Sequence, residues 1–140
     1  MSILAFRVKG AVVWDLFSGS GAFGIECLSC GAAEAIFVDR SPVNLLLVSK
    51  FLSEQGGEFR YRTIKGKLPA SMDRLIPPAD IVFLDPPYDS SCIYSWIIDY
   101  DWASVVSRGG IVIAESGGYR FPENWEHRRY GDTHLHMMEV

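Results

Sequence analysis

Short runs of β-branched and aromatic residues alternate along this chain with longer stretches in which apolar side chains recur every three or four positions. A continuous apolar run marks a strand buried on both faces, and the three-to-four spacing marks one face of a helix. Residues 11–15, 35–39, 80–85 and 110–115 read as buried strands, and the alternating residues 59–64 as another. Between them, residues 22–30 read as a helix stopped by Gly31, and residues 42–54 as a helix with Ser41 at its N-cap and Pro42 in its first turn. Gly56-Gly57 ends that helix. Shorter helices are expected over residues 69–75, 91–98 and 102–107. Residues 125–130 and 133–139 alternate around Gly131-Asp132, which predicts a terminal hairpin.

Strand-helix alternation with continuous apolar strands predicts an α/β fold, a mostly parallel sheet covered on both faces. The hairpin adds antiparallel strands at one edge. In such sheets ligands bind outside the carboxyl ends of the strands, near the point where strand order reverses. Asp15, Asp39 and Asp85 all stand at predicted strand ends.

The chain has 140 residues, of which 49% are apolar, enough for a single domain over residues 1–140 with its own core. No repeat or low-complexity tract interrupts it. The 13 basic against 17 acidic residues leave a formal charge of −4, which argues against whole-surface electrostatic binding of nucleic acid but allows a local basic face. No apolar run approaches the roughly 20 residues of a membrane span. The first residues lack a signal peptide's apolar region. Three cysteines in a chain with a full-sized core fit a reducing cytoplasm better than a disulfide framework.

Gly19-Ser20-Gly21-Ala22-Phe23-Gly24 matches G-x-G-x-x-G, follows a strand and opens a helix. Asp39 closes the next strand about 20 residues on, where a carboxylate can hold two ribose hydroxyls. A dinucleotide or S-adenosylmethionine could use such a unit. A dinucleotide would put its pyrophosphate against the loop. Asp15, just before the loop, would repel that group but could pair with the methionyl ammonium of S-adenosylmethionine. The run Asp15-Leu16-Phe17-Ser18-Gly19 therefore favours the latter.

Asp85-Pro86-Pro87-Tyr88 follows a buried strand directly. Two prolines fix two φ angles and remove two donors, leaving a rigid corner of acceptors. An exocyclic amine on an aromatic base is a poor nucleophile because its lone pair is delocalised into the ring. The Asp85 carboxylate and the Pro86 carbonyl can accept its two N–H groups, turn the lone pair toward a methyl group and stabilise the positive charge that develops. Tyr88 can stack on the base. A base inside a duplex cannot reach such a corner, so the target would be flipped out or single-stranded.

The run from Asp15 to Ala32 closely resembles the first motif of the bacterial small-subunit ribosomal RNA guanine-N2 methyltransferases. Asp85-Pro86-Pro87-Tyr88 resembles their fourth motif, and Tyr130-Gly131-Asp132-Thr133 their terminal hairpin. The resemblance spans nearly the whole chain. It implies the Rossmann-like class I methyltransferase fold, S-adenosyl-L-methionine as cofactor, and transfer to a guanine N2 in ribosomal RNA of the small subunit or its assembly intermediate. It further implies that Asp15, Phe17, Ser18, Gly19, Ser20 and Gly21 surround the methionyl part. Asp39 would bind the ribose, with Arg40, Ser41, Gly66, Lys67 and Leu68 around the adenine. Asp85, Pro86, Pro87 and Tyr88 would receive the guanine. No metal and no membrane enter, and a cytoplasmic monomer is expected.

Three positions depart from that family. Its members begin with a basic, glycine-rich segment and a helix; Met1-Ser2-Ile3-Leu4 reads as the end of that helix, so the segment is expected to be missing. Lys67 stands where the family offers Asp or Asn to the adenine amine and cannot accept that hydrogen bond. Phe51 stands where many members have Asn.

Cys27 and Cys30 form a C-x-x-C, but inside a helix and with no second pair for zinc, so they are expected to pack on the sheet, with Cys92 similar. His134 and His136, with His127, read as a surface hairpin rather than a metal site. Arg60, Arg62, Lys65 and Lys67 concentrate charge around the third strand, as edge strands do. The rival readings are an adenine-N6 DNA methyltransferase, a cofactor-binding remnant without turnover, and a dinucleotide oxidoreductase, which Asp15 disfavours.

Overall fold

A computed structural model describes residues 6–87 and 90–140. The expectations for residues 1–4 and for Tyr88 lie outside the described residues. The chain begins in the middle of its sheet with β1 (Val12–Leu16), then α1 (Ala22–Ser29), β2 (Glu34–Asp39), α2 (Pro42–Glu54) and β3 (Tyr61–Lys65) build outward to one edge. It then crosses back into β4 (Ala79–Leu84), α3 (Ser91–Asp99) and β5 (Val106–Ser116), and ends in β6 (Glu126–Tyr130) and β7 (Thr133–Glu139). The seven strands lie in the order β3-β2-β1-β4-β5-β7-β6. The first five are parallel, and β7 runs antiparallel to both β5 and β6. Strand order therefore reverses between β1 and β4, which brings the ends of those strands, Asp15 and Asp85, to the crevice.

Alternate residues of each central strand feed two cores. Val13, Ala35 and Phe37 face α1 and α2 through Cys27, Leu28, Leu45, Val48 and Leu52. Trp14, Ile36 and Val38 face the other way, where Tyr94 and Ile97 of α3 join Trp102. Both faces are covered, so these strands need apolar residues at every position, and that need is the continuous pattern seen in the sequence. Ser41 caps α2 as expected, its hydroxyl accepting the Asn44 N–H at 3.2 Å.

Several local expectations are corrected. The helix expected over residues 102–107 is a 3₁₀ turn, Trp102–Ser104, because Val106 already pairs with Ala79 in the sheet. β-branched Val105-Val106 favours that extended state. The short helix expected over residues 69–75 is present, as a 3₁₀ segment, Ala70–Arg74. Cys27 is buried on the sheet, but Cys30 and Cys92 are exposed. His136 is buried, not a surface residue, because Phe121 stacks on its ring at 3.8 Å. β3 is indeed an edge strand, and the exposed Lys65 lies on it.

Candidate active site

The turn after β1 is built from left-handed backbone. Phe17 has φ 60°, Gly19 52° and Gly21 76°. For glycine this conformation is free; for Phe17 it costs roughly 1–2 kcal/mol. Strain of this kind clusters at functional sites, and Phe17 lines both cavities described below. Close packing fixes the rest of the turn. A Cβ on Gly21 would lie 2.6 Å from Val48, and one on Gly24 would lie 2.4 Å from the Phe37 ring.

Two carboxylates hold this loop. Asp39 accepts the Gly19 N–H at 2.7 Å on one oxygen and the Ser41 N–H at 2.8 Å on the other. It thereby ties the glycine loop to the start of α2. A carboxylate has about four lone-pair sites, so Asp39 keeps acceptor capacity toward the cavity it lines. Asp15 is buried and accepts the Gly24 N–H at 3.0 Å. Burial pushes its carboxyl up to about 8; the Gly24 bond opposes this, and the charges of Asp85 and Asp39 add to it.

Asp85 sits just past β4, its N–H donating to the Leu16 carbonyl at 3.4 Å, which pins the proline corner to the end of β1. The Pro87 carbonyl accepts the Ser90 N–H at 3.1 Å. Of the two proline carbonyls, Pro87's is thus committed to the turn. Partial burial, with the nearby Glu115 charge second, pushes the Asp85 carboxyl up to about 6.

Two cavities meet at this corner. The larger, about 590 Å³, has Asp39, Arg40, Gly66, Lys67 and Leu68 on one side and Asp85, Pro86 and Pro87 on the other. The smaller, about 240 Å³, holds Asp15, Ser18, Ser20 and Glu115. Phe17 and Asp85 line both. Gly19, Gly21 and Ser41 line neither, and serve through their backbone and, for Ser41, the cap of α2. Sequence reasoning missed Val38, Ser90 and Ile93 in the larger cavity and Ala22, Phe23, Phe83 and Glu115 in the smaller. Glu115 could have been found by the rule that singled out the three aspartates, since it too stands at the carboxyl end of a buried strand. Phe83 and Phe23 carry no such signal; they meet as a stacked pair with centroids 4.2 Å apart.

The sheet order, the loop and the corner can be set beside known proteins. The family model described as conserved hypothetical protein 95 matches residues 1–139. The chain belongs to this family. A curated relative, the Bacillus subtilis (strain 168) protein named putative rRNA methyltransferase YlbH, is 33% identical over 106 residues, covering 72% of this chain and 56% of that protein. The chain thus spans little more than half the length of the curated relative it matches. Among solved structures, a conserved hypothetical protein of Streptococcus pyogenes superposes with a TM-score of 0.81 at 25% identity, covering 94% of this chain and 86% of that one. The Escherichia coli protein named putative methyltransferase yhhF superposes with a TM-score of 0.74 at 25% identity, covering 99% and 80%. This member of the conserved hypothetical protein 95 family has the class I methyltransferase fold that its sequence implied.

Proposed function

We propose that this protein transfers a methyl group from S-adenosyl-L-methionine to the exocyclic N2 amine of a guanine in small-subunit ribosomal RNA. It would act as a cytoplasmic monomer on the subunit or an assembly intermediate. The observation that carries this reading is the position of Asp85 where the two cavities meet.

The residues of both cavities fit the cofactor. In the larger one, Asp39 retains lone pairs for ribose hydroxyls, and Phe17, Val38, Leu68 and Ile93 offer apolar surface to a planar adenine. Lys67 offers no acceptor to the adenine amine, so backbone groups of the 66–68 turn would take that part. In the smaller one, the Ser18 hydroxyl is buried with no hydrogen-bond partner among the described residues, and the Asp15 carboxyl stands beside it. An orphan hydroxyl and a carboxyl suit the ammonium and carboxylate of a methionyl group. When bound, the cofactor would supply an electrophilic methyl.

The chain's own residues supply positioning and charge. Asp85 and the Pro86 carbonyl accept the two N–H groups of the amine and direct its lone pair. Asp85 is poised to take the proton that becomes acidic as nitrogen acquires its new bond. Tyr88 is the residue assigned to stack on the base. The name of the Bacillus subtilis relative supports ribosomal RNA as the substrate class. Replacing Asp85 with Ala should abolish transfer and leave the affinity for S-adenosylhomocysteine, read by calorimetry, largely intact. Unchanged turnover in that variant would refute the assigned site.

A further inference from the structure

A third cavity, of about 410 Å³, lies between the segment after β5 and the terminal hairpin, walled by Arg120, Phe121, Trp125, His127, His134 and His136. Its size is that of a small-ligand site, about 300–1,000 Å³. All three histidines of the chain are in it. The hairpin register explains why: His127 lies directly across from His136, and Arg129 across from His134, so these four side chains share one face.

The rings are arranged for recognition of something flat. His127 Nε2 and His134 Nδ1 are 2.9 Å apart, with ring planes 14° apart and centroids separated by 5.1 Å. A short N–N contact at that centroid separation places the two imidazoles edge to edge, as one broad platform. Phe121 lies face to face on His136, with ring planes 7° apart.

The tautomer of His136 can be read from its neighbours. Ser116 Oγ accepts the N–H groups of Gly118 and Tyr119, each at 3.1 Å. Its own proton is therefore the one shared with His136 Nε2 at 2.8 Å. His136 then carries its proton on Nδ1, and that buried atom has no partner among the described residues. Burial first, then His127 and His134, holds the ring's pKa down to about 4, so it stays neutral. A buried donor left over in a residue that lines the cavity calls for an acceptor that the described residues do not supply. Two imidazoles spent on each other do not make a metal site, and no group of three potential metal ligands occurs among the described residues.

We propose that this cavity is a second nucleobase site, holding an unpaired base of the RNA strand whose target base is presented to Asp85. The proposal rests on the reading of this chain as an RNA-modifying enzyme. Ring faces with one orphan donor suit a heteroaromatic base with a carbonyl or ring-nitrogen acceptor, and Arg120 suits the phosphate that accompanies it. The location fits as well. Glu115 lines the reaction cavity, and its neighbour Ser116, pointing to the opposite face of the same strand, holds His136. One strand of nucleic acid crossing the carboxyl end of the sheet meets both sites.

The chain's histidine ring signals in an NMR spectrum report on this cavity alone. A short single-stranded oligoribonucleotide of mixed sequence should shift all three, and free guanosine monophosphate at equal concentration should shift them far less. His134→Ala and Arg120→Ala should each weaken strand affinity roughly tenfold, measured by fluorescence anisotropy, with S-adenosylhomocysteine affinity unchanged. His134→Phe, which keeps a ring, should retain strand affinity. The proposal is overturned if the strand binds without moving these signals, if it does not bind, if the alanine variants bind it equally well, or if the mononucleotide moves the signals as strongly as the strand. Loss of cofactor binding with the histidine shifts intact would instead sink the methyltransferase reading and leave this site standing.

Discussion

Asp15 and Asp85 are both carboxyls with raised pKa values, but burial leads to different consequences at the two positions. In the proposed reaction Asp85 takes up the proton that leaves the amine, which only its ionised form can do. With its pKa pushed up to about 6, kcat/KM should rise with pH through that value and then level off. Asp85→Asn should lower kcat roughly 10²–10⁴-fold and remove the rise. Asp15 is buried, and its native pKa of about 8 lies above the ordinary 3.8. The native state therefore binds the extra proton between those values, and stability present below about pH 4 is lost as pH rises through about 8. Asp15→Asn should flatten that slope: thermal unfolding at pH 5 and pH 9 should show the parent chain losing more on the alkaline side than the variant. Both aspartates were visible in the sequence because a carboxylate at the end of an apolar run has few structural uses. Ser41 was visible too, but its structural role is the N-cap of α2 and an N–H to Asp39.

Among the elements, α1 and the loop before it are the least forgiving, because a helix can approach β2 this closely only through glycine. Gly24→Ala drives a methyl group into the Phe37 ring and disturbs the N–H that Asp15 accepts. It should cost roughly 1–3 kcal/mol of stability, read from denaturant midpoints, and weaken S-adenosylhomocysteine binding as well. The central strands could be read from their composition, since burial on both faces leaves a continuous apolar run. Trp102–Ser104 could not, because residues there serve a turn and then the start of β5, and the periodicity of so short a piece is shared by both states. The burial of His136 was hidden for another reason. Alternation does place His134 and His136 on one face, but what covers that face is Phe121, from a segment outside any strand or helix. No period in the sequence encodes such a contact.

At the scale of the whole molecule, charge is unevenly placed. The formal charge is −4, yet Arg40 and Lys67 line the larger cavity and Arg120 the third. Phosphates bound by such local groups release counterions, so RNA affinity should fall steeply and linearly on a log–log plot against salt, whereas affinity for S-adenosylhomocysteine should change little. The order of the seven strands brings three cavities to the carboxyl end of one sheet, and the residues at that end come from positions as distant as Asp15 and His136. The proposed function requires Asp85 to present a guanine amine for methylation. Its most direct test is nucleoside mass spectrometry of small subunits, taken from cells lacking this protein and incubated with the chain and S-adenosylmethionine. The proposed function predicts N2-methylguanosine with the parent chain and none with Asp85→Ala; equal product from both, or N6-methyladenine from a DNA substrate in its place, would contradict it.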